Sequence, residues 1–88
     1  MSETANTTDI TIYGADWCGD CVRAKRVFAE LEVPYEWVDL VATPEAAATA
    51  EEISGRKNIP VIAYPDGTHQ VEPSDDEMRD KLTALGKA

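Results

Sequence analysis

Two strand-like runs with one amphipathic helix between them, all within the first 40 residues, are the strongest constraint on how this chain can fold. Over residues 9–13, Ile10 and Ile12 alternate with Thr11 and Tyr13, which is the period of a strand. Ala24, Val27, Phe28 and Leu31 then recur at i, i+3, i+4 and i+7, one face of a helix. Arg23, Lys25, Arg26 and Glu30 occupy the polar side. Pro34 is expected to end that helix, and residues 35–40 read as a second strand. A strand, a helix and a strand in this order call for a parallel pair joined by a right-handed crossover.

The rest of the chain extends that unit. Thr43-Pro44-Glu45 combines a cap residue, a first-position proline and an early acid. A second helix is therefore expected to open there, with Thr43 as its cap, and to run through an alanine-rich stretch to Glu52. Ser54-Gly55 is its stop signal. Residues 61–64 and 68–71 read as strands joined by the tight turn Pro65-Asp66-Gly67, an antiparallel hairpin. Ser74-Asp75-Asp76-Glu77 is a capping box that opens a last helix through Met78, Leu82 and Leu85. The order βαβαββα predicts an α/β fold, a four-stranded mixed sheet flanked by three helices, with helices on both faces. Residues 9–88 read as one domain and residues 1–8, all but one of them polar or small, as a flexible N-terminus. A domain of this size buries roughly 60 to 65% of its unfolded surface. With only two cysteines, no disulfide framework supplements that core.

Charge excludes some functions. Seventeen acidic residues against eight basic ones give a net charge of −9. A general nucleic-acid binder needs clustered Lys and Arg on phosphates, and an anionic membrane surface would repel this chain. No apolar run approaches the ~18 residues of a membrane span, and the start of the chain lacks a basic patch followed by an apolar stretch. A cytoplasmic location is expected, where a lone cysteine pair stays mostly reduced.

That pair carries the chemistry. Trp17-Cys18-Gly19-Asp20-Cys21 lies between the first strand and the first helix. Spaced i and i+3 on a helix, the cysteines are neighbours on one face at a separation a disulfide tolerates. Cys18 falls at the helix start, where unpaired N–H groups and the positive end of the backbone dipole favour an anion. It is therefore the expected nucleophile, with Cys21 one turn inside as the resolving thiol. Gly19 lets a substrate approach with no Cβ in the way. Asp20 favours the helix start by roughly 0.3 to 1 kcal/mol, and its charge, together with that of Asp16, opposes a thiolate on Cys18. Asp20 reads equally well as a plain helix-start residue. Four thiolate or imidazole ligands would be needed for a closed zinc site, whereas the chain offers two cysteines and a distant His69, so no metal site is expected.

With these residues in view, the chain resembles the glutaredoxin family, on a thioredoxin-like fold, from residue 9 to residue 86. Thr11-Ile12-Tyr13 followed by Trp17 and the dithiol is similar to the family's strand, aromatic and cysteine pair. Asn58-Ile59-Pro60 looks like its Thr-Val-Pro, in which the proline is cis and faces the dithiol. Asp66-Gly67 in the hairpin and Pro73-Ser74-Asp75 before the last helix complete the match. Within the family these features resemble the mycoredoxins of actinobacteria most. Two departures stand out. Glu72-Pro73 occupies the place of the Gly-Gly pair usual in glutathione-binding members, and Asp20 stands where mycoredoxins typically carry an aromatic.

The resemblance implies thiol-disulfide exchange at Cys18 with mycothiol or glutathione as a low-molecular-weight co-substrate and no bound cofactor. It implies a substrate-binding rim of Trp17, Gly19, Asp20, Lys57, Ile59, Pro60, Ser74 and Asp75. Arg56 and Lys57 would meet the tail of the small thiol, and the backbone of Ile59 would pair with a peptide substrate like an added strand. Ser74 and Asp75 also read simply as the helix cap. The implied partners are oxidised or thiolated proteins and, upstream, a flavin disulfide reductase, with the chain acting as a monomer. Two other readings remain: a redoxin reduced directly by thioredoxin reductase, of the type that donates electrons to ribonucleotide reductase, and a module bridging an iron-sulfur cluster.

Overall fold

A computed structural model describes residues 9–88, so the expected flexible N-terminus, residues 1–8, lies outside the described residues. The elements follow the expected order: β1 (Thr11–Gly14), α1 (Gly19–Glu30), β2 (Glu36–Asp39), α2 (Ala46–Ser54), β3 (Val61–Ala63), β4 (His69–Val71) and α3 (Asp75–Ala84). The sheet runs β2-β1-β3-β4. β1 pairs parallel with β2, as the strand-helix-strand order demands, and antiparallel with β3, which pairs antiparallel with β4.

The period of two along the strands sorts the faces. Ile12 pairs with Ile62, and both are fully buried against α1 and α3 with Val27, Phe28, Met78 and Leu82. Burying an aliphatic or aromatic side chain of this kind contributes roughly 1.5 to 3 kcal/mol, so this layer is the main source of stability. The neighbouring register positions, Tyr13 opposite Val61 and Val61 opposite Val71, point to the other face, where α2 packs over β1, β3 and β4. Phe28 meets Tyr35 edge to face with ring centroids 5.4 Å apart, tying α1 to the strand that follows it.

Helix ends were less predictable than helix cores. α1 stops at Glu30, before Pro34 can act. Val33 donates its N–H to the Phe28 carbonyl and Glu32 to the Ala29 carbonyl, with Glu32 in the left-handed region at φ 57°, a Schellman closure seated by the buried Val33. α2 starts at Ala46, with Glu45 rather than Thr43 at the cap position and no side-chain cap bond. Ala46, Ala47 and Ala48 instead donate to the carbonyls of Thr43, Pro44 and Glu45, so single tight turns lead into the helix. Asp39 accepts from the N–H groups of Val41 and Ala42 just upstream, and its carbonyl accepts from Thr43. α3 matches expectation, with the Ser74 hydroxyl accepting from Glu77 N–H and the Glu77 carboxylate accepting from Ser74 N–H. Among the described residues no helix is long and apolar enough to cross a membrane.

Candidate active site

The dithiol sits where β1 hands over to α1. Cys18 is itself the N-cap residue, with extended backbone and no side-chain cap hydrogen bond. In most helices a Ser, Thr or Asp oxygen fills this position and accepts from the first-turn N–H groups. Here a sulfur stands in that place, so a thiolate on Cys18 lies at the positive end of the backbone dipole. The thiol is part-exposed, with Sγ 4.0 Å from the Ile59 carbonyl oxygen, and the Ile59–Pro60 peptide is cis. The resemblance had implied this arrangement, and the structure brings the two blocks together across 41 residues of sequence.

Cys21 has opposite surroundings. It is fully buried on the inner side of α1. Burial pushes its thiol up to about 12, and the neighbouring Cys18 and Asp20 push the same way against a hydrogen bond from the Ala15 backbone. The seat is made by Gly14, the last residue of β1. A Cβ added at Gly14 would lie 2.5 Å from Cys21 Sγ and 3.0 Å from the ring of Trp37. Glycine is therefore required for close approach and not for backbone conformation. Lys25 lies 4.1 Å above the Trp37 ring and also pairs with Asp16 at 3.5 Å. Gly14 was missed in the sequence because a glycine ending a strand carries no local sign of what will press against it.

The rim residues divide. Trp17, next to Cys18 in the chain, is 75% exposed, and Val22 in the first turn of α1 is exposed too. A Cβ at Gly19 would meet no atom of the chain, which leaves the space in front of Cys18 open. Pro60 is buried, whereas Ile59 and Lys57 border a cavity of about 390 Å³ with Leu40, Ala47, Glu51, Arg56 and Asn58. Ser74 is engaged in the capping box. Asp75 accepts from Arg23 Nη1 at 2.7 Å, while Arg23 Nη2 reaches Asp20 at 3.3 Å and the Pro73 carbonyl at 3.2 Å. Neither acid near the dithiol stands free, since Asp20 pairs with Arg23 and Asp16 with Lys25. The pair with Asp75 raises Arg23 further above its ordinary range.

Glu72 adopts φ 49°. Its N–H donates to the Pro60 carbonyl and its carboxylate accepts from Asn58, so this residue ties the Ile59–Pro60 loop to the segment before α3. His69 is exposed on β4, away from any catalytic grouping. Among the described residues no three His, Cys, Asp or Glu side chains gather at a spacing suited to a metal ion.

Comparison with known proteins agrees with this geometry. Residues 10–70 match the glutaredoxin family model. An assigned glutaredoxin of Mycobacterium tuberculosis is 31% identical over 80 residues, covering 90% of this chain and 95% of the relative. Mycoredoxin 1 of Corynebacterium glutamicum is 30% identical over 79 residues, covering 89% and 98%. Among solved structures, the glutaredoxin of Archaeoglobus fulgidus superposes with a TM-score of 0.74 at 18% identity, covering 83% of this chain and 84% of that one. Wheat glutaredoxin superposes at 0.66 and 20%, covering 92% and 76%. A helix-capping cysteine set against Ile59–Pro60, on a frame these comparisons share, places the chain in the glutaredoxin family of thiol-disulfide oxidoreductases.

Proposed function

We propose that this protein reduces mixed disulfides between proteins and mycothiol, by a route that uses Cys18 alone. The carrying observation is the contrast between the two sulfurs: Cys18 part-exposed at the helix cap, Cys21 sealed beneath Gly14 with its thiol held protonated. The Cys18 thiolate attacks the sulfur that belonged to mycothiol. The protein thiolate leaves and takes up a proton, and mycothiol remains on Cys18 through the new S–S bond. A second mycothiol thiolate attacks that sulfur, forming mycothiol disulfide and restoring Cys18. An upstream flavin reductase returns the disulfide to thiol.

The rim supplies orientation. Trp17 and Val22 offer an apolar contact for the protein half, Gly19 leaves room for its backbone, and Ile59 beside Pro60 pairs with it as an added strand. The cavity next to Ile59 is of a size that holds a small molecule, and Arg56, Lys57 and Asn58 offer donors to hydroxyl or carboxylate groups of the thiol's tail. Similarity to mycoredoxin 1 along almost the full length supports mycothiol as that thiol. Glu72-Pro73 in place of two glycines, and Asp75 already held by Arg23, argue against glutathione. A reducing cytoplasm suits such a cycle.

A single assay decides the electron donor. A mycothiolated protein is offered to the enzyme with mycothiol, with glutathione, or with NADPH and thioredoxin reductase. Turnover with mycothiol is expected. Reduction confined to the thioredoxin reductase mixture would replace this reading with that of a redoxin served directly by the reductase.

A further inference from the structure

Asp20, between the cysteines, and Asp75, at the start of α3, converge on one guanidinium. Arg23 uses both terminal nitrogens, Nη1 on Asp75 and Nη2 shared between Asp20 and the Pro73 carbonyl. Asp20 lies between the cysteines, and Asp75 opens a helix 52 residues beyond Arg23, so the contact ties the start of α1 to the start of α3. A planar fork can serve three acceptors in two directions at once, which a lysine ammonium does less well. All three side chains are partly exposed, at 29% for Arg23, 49% for Asp20 and 36% for Asp75. Ion pairs of that exposure add little to stability. What they do change is the charge beside the sulfurs, because Asp20 stands between Cys18 and Cys21 in the first turn of α1.

We propose that Arg23 is a positioning residue for thiol-disulfide exchange: by holding the Asp20 carboxylate against its guanidinium and anchoring both to Asp75, it sets the redox poise of Cys18 and Cys21. The half-reaction takes the Cys18 thiolate and the Cys21 thiol to one disulfide with release of one proton and two electrons. That reduced state carries an anionic sulfur and the disulfide carries no charge. A neutralised Asp20 therefore favours the reduced side, and an uncompensated Asp20 favours the disulfide, making the couple more reducing. Arg23 acts through Asp20, so the two residues are expected to be strongly non-additive.

The test is a redox titration of the full chain in dithiothreitol buffers, with the disulfide fraction read by thiol trapping, on native protein, Arg23→Gln, Asp20→Asn, the double variant and Arg23→Lys. Arg23→Gln is expected to raise the equilibrium constant for oxidation about tenfold, or about 30 mV for this two-electron couple. Asp20→Asn alone is expected to stay within about twofold of native, because its charge is already matched, yet to cancel most of the change when added to Arg23→Gln. Arg23→Lys, which keeps the charge, is expected to fall between native and Arg23→Gln. A merely structural tie is lost equally in Arg23→Gln and in the double variant, so equal constants for those two would overturn the proposal. So would an Arg23→Gln constant within twofold of native. Neither outcome bears on which small thiol the enzyme uses.

Discussion

The same helix presents its two cysteines to opposite environments. Cys18 is open on one side: Trp17 and Val22 are exposed, a Cβ at Gly19 would meet nothing beyond its chain neighbours, and the sulfur stands at the cap position of the helix start. Around Cys21 nothing is open, since Gly14 and Trp37 leave no space for one more carbon and burial holds the proton on sulfur. Three residues of separation thus place one sulfur part-exposed at a helix start and the other in the packed interior. Under the proposed route, a dithiol motif does not specify a dithiol mechanism. A buried acid able to take the proton from Cys21 would make it a ready resolving thiol, but the position facing the sheet core is Ile12, and the described residues bury no charged side chain.

The largest expected effect breaks the comparison outright. Cys18→Ser should lower reduction of a mycothiolated protein by about three orders of magnitude or more, since the attacking sulfur is gone. Cys21→Ser should keep most of it in the same assay. Comparable losses in both variants would show that Cys21 leaves its seat in every turnover.

The next concerns pH. Below pH 9 both folded and unfolded chains keep the Cys21 proton. Between 9.0 and about 12 only the unfolded chain loses it, so stability falls as pH rises through that window and levels off above it. Tyr64, also buried and raised above its ordinary 10.0, acts in the same direction. At about 1.4 kcal/mol per pH unit, the Cys21 share is on the order of 4 kcal/mol. Urea denaturation at pH 8, 10 and 11.5 measures it, and Cys21→Ala should flatten the alkaline decline. A decline of unchanged steepness in that variant would remove Cys21 as its source.

The smallest effect sharpens the sealed side. Gly14→Ala should cost about 2 kcal/mol, because the new carbon would overlap Cys21 Sγ and press on Trp37. In a domain of this length that lowers the thermal midpoint by about 8 to 16 °C, measurable by calorimetry. Gly19→Ala, the matching change on the open side, should leave the midpoint within a few degrees. An equal fall in both would erase the distinction between the two environments.

Reading the chain from its residues recovers much of this, and the reasons are local. Alternation in β1, the apolar stripe on α1, the capping box Ser74/Glu77 and the Asp66-Gly67 turn are each encoded within a few residues. Asp66, for instance, accepts from Thr68 two residues away, and these bonds with the contact from Lys81 hold its carboxyl well below the usual range. Boundaries settled by contacts from elsewhere were harder. α1 ends before Pro34 because the buried Val33 seats a left-handed Glu32, and α2 begins three residues after Thr43 because tight turns intervene. Gly14 and Arg23 are not legible as site residues, because what matters about them lies in partners that no spacing rule connects.

The order of elements, the parallel pairing of β1 with β2 and the placing of a cysteine pair at a helix start were legible in the residues alone, since each depends on periodicity, chain order and short-range capping. The residues also led to the family resemblance. Only the tertiary structure decided which sulfur is exposed, which residue seats the other, and that Asp20 is matched by Arg23 and Arg23 by Asp75. Those outcomes depend on side chains up to 52 residues apart meeting in a close-packed interior or at its edge, where a single carbon or a single charge changes the chemistry.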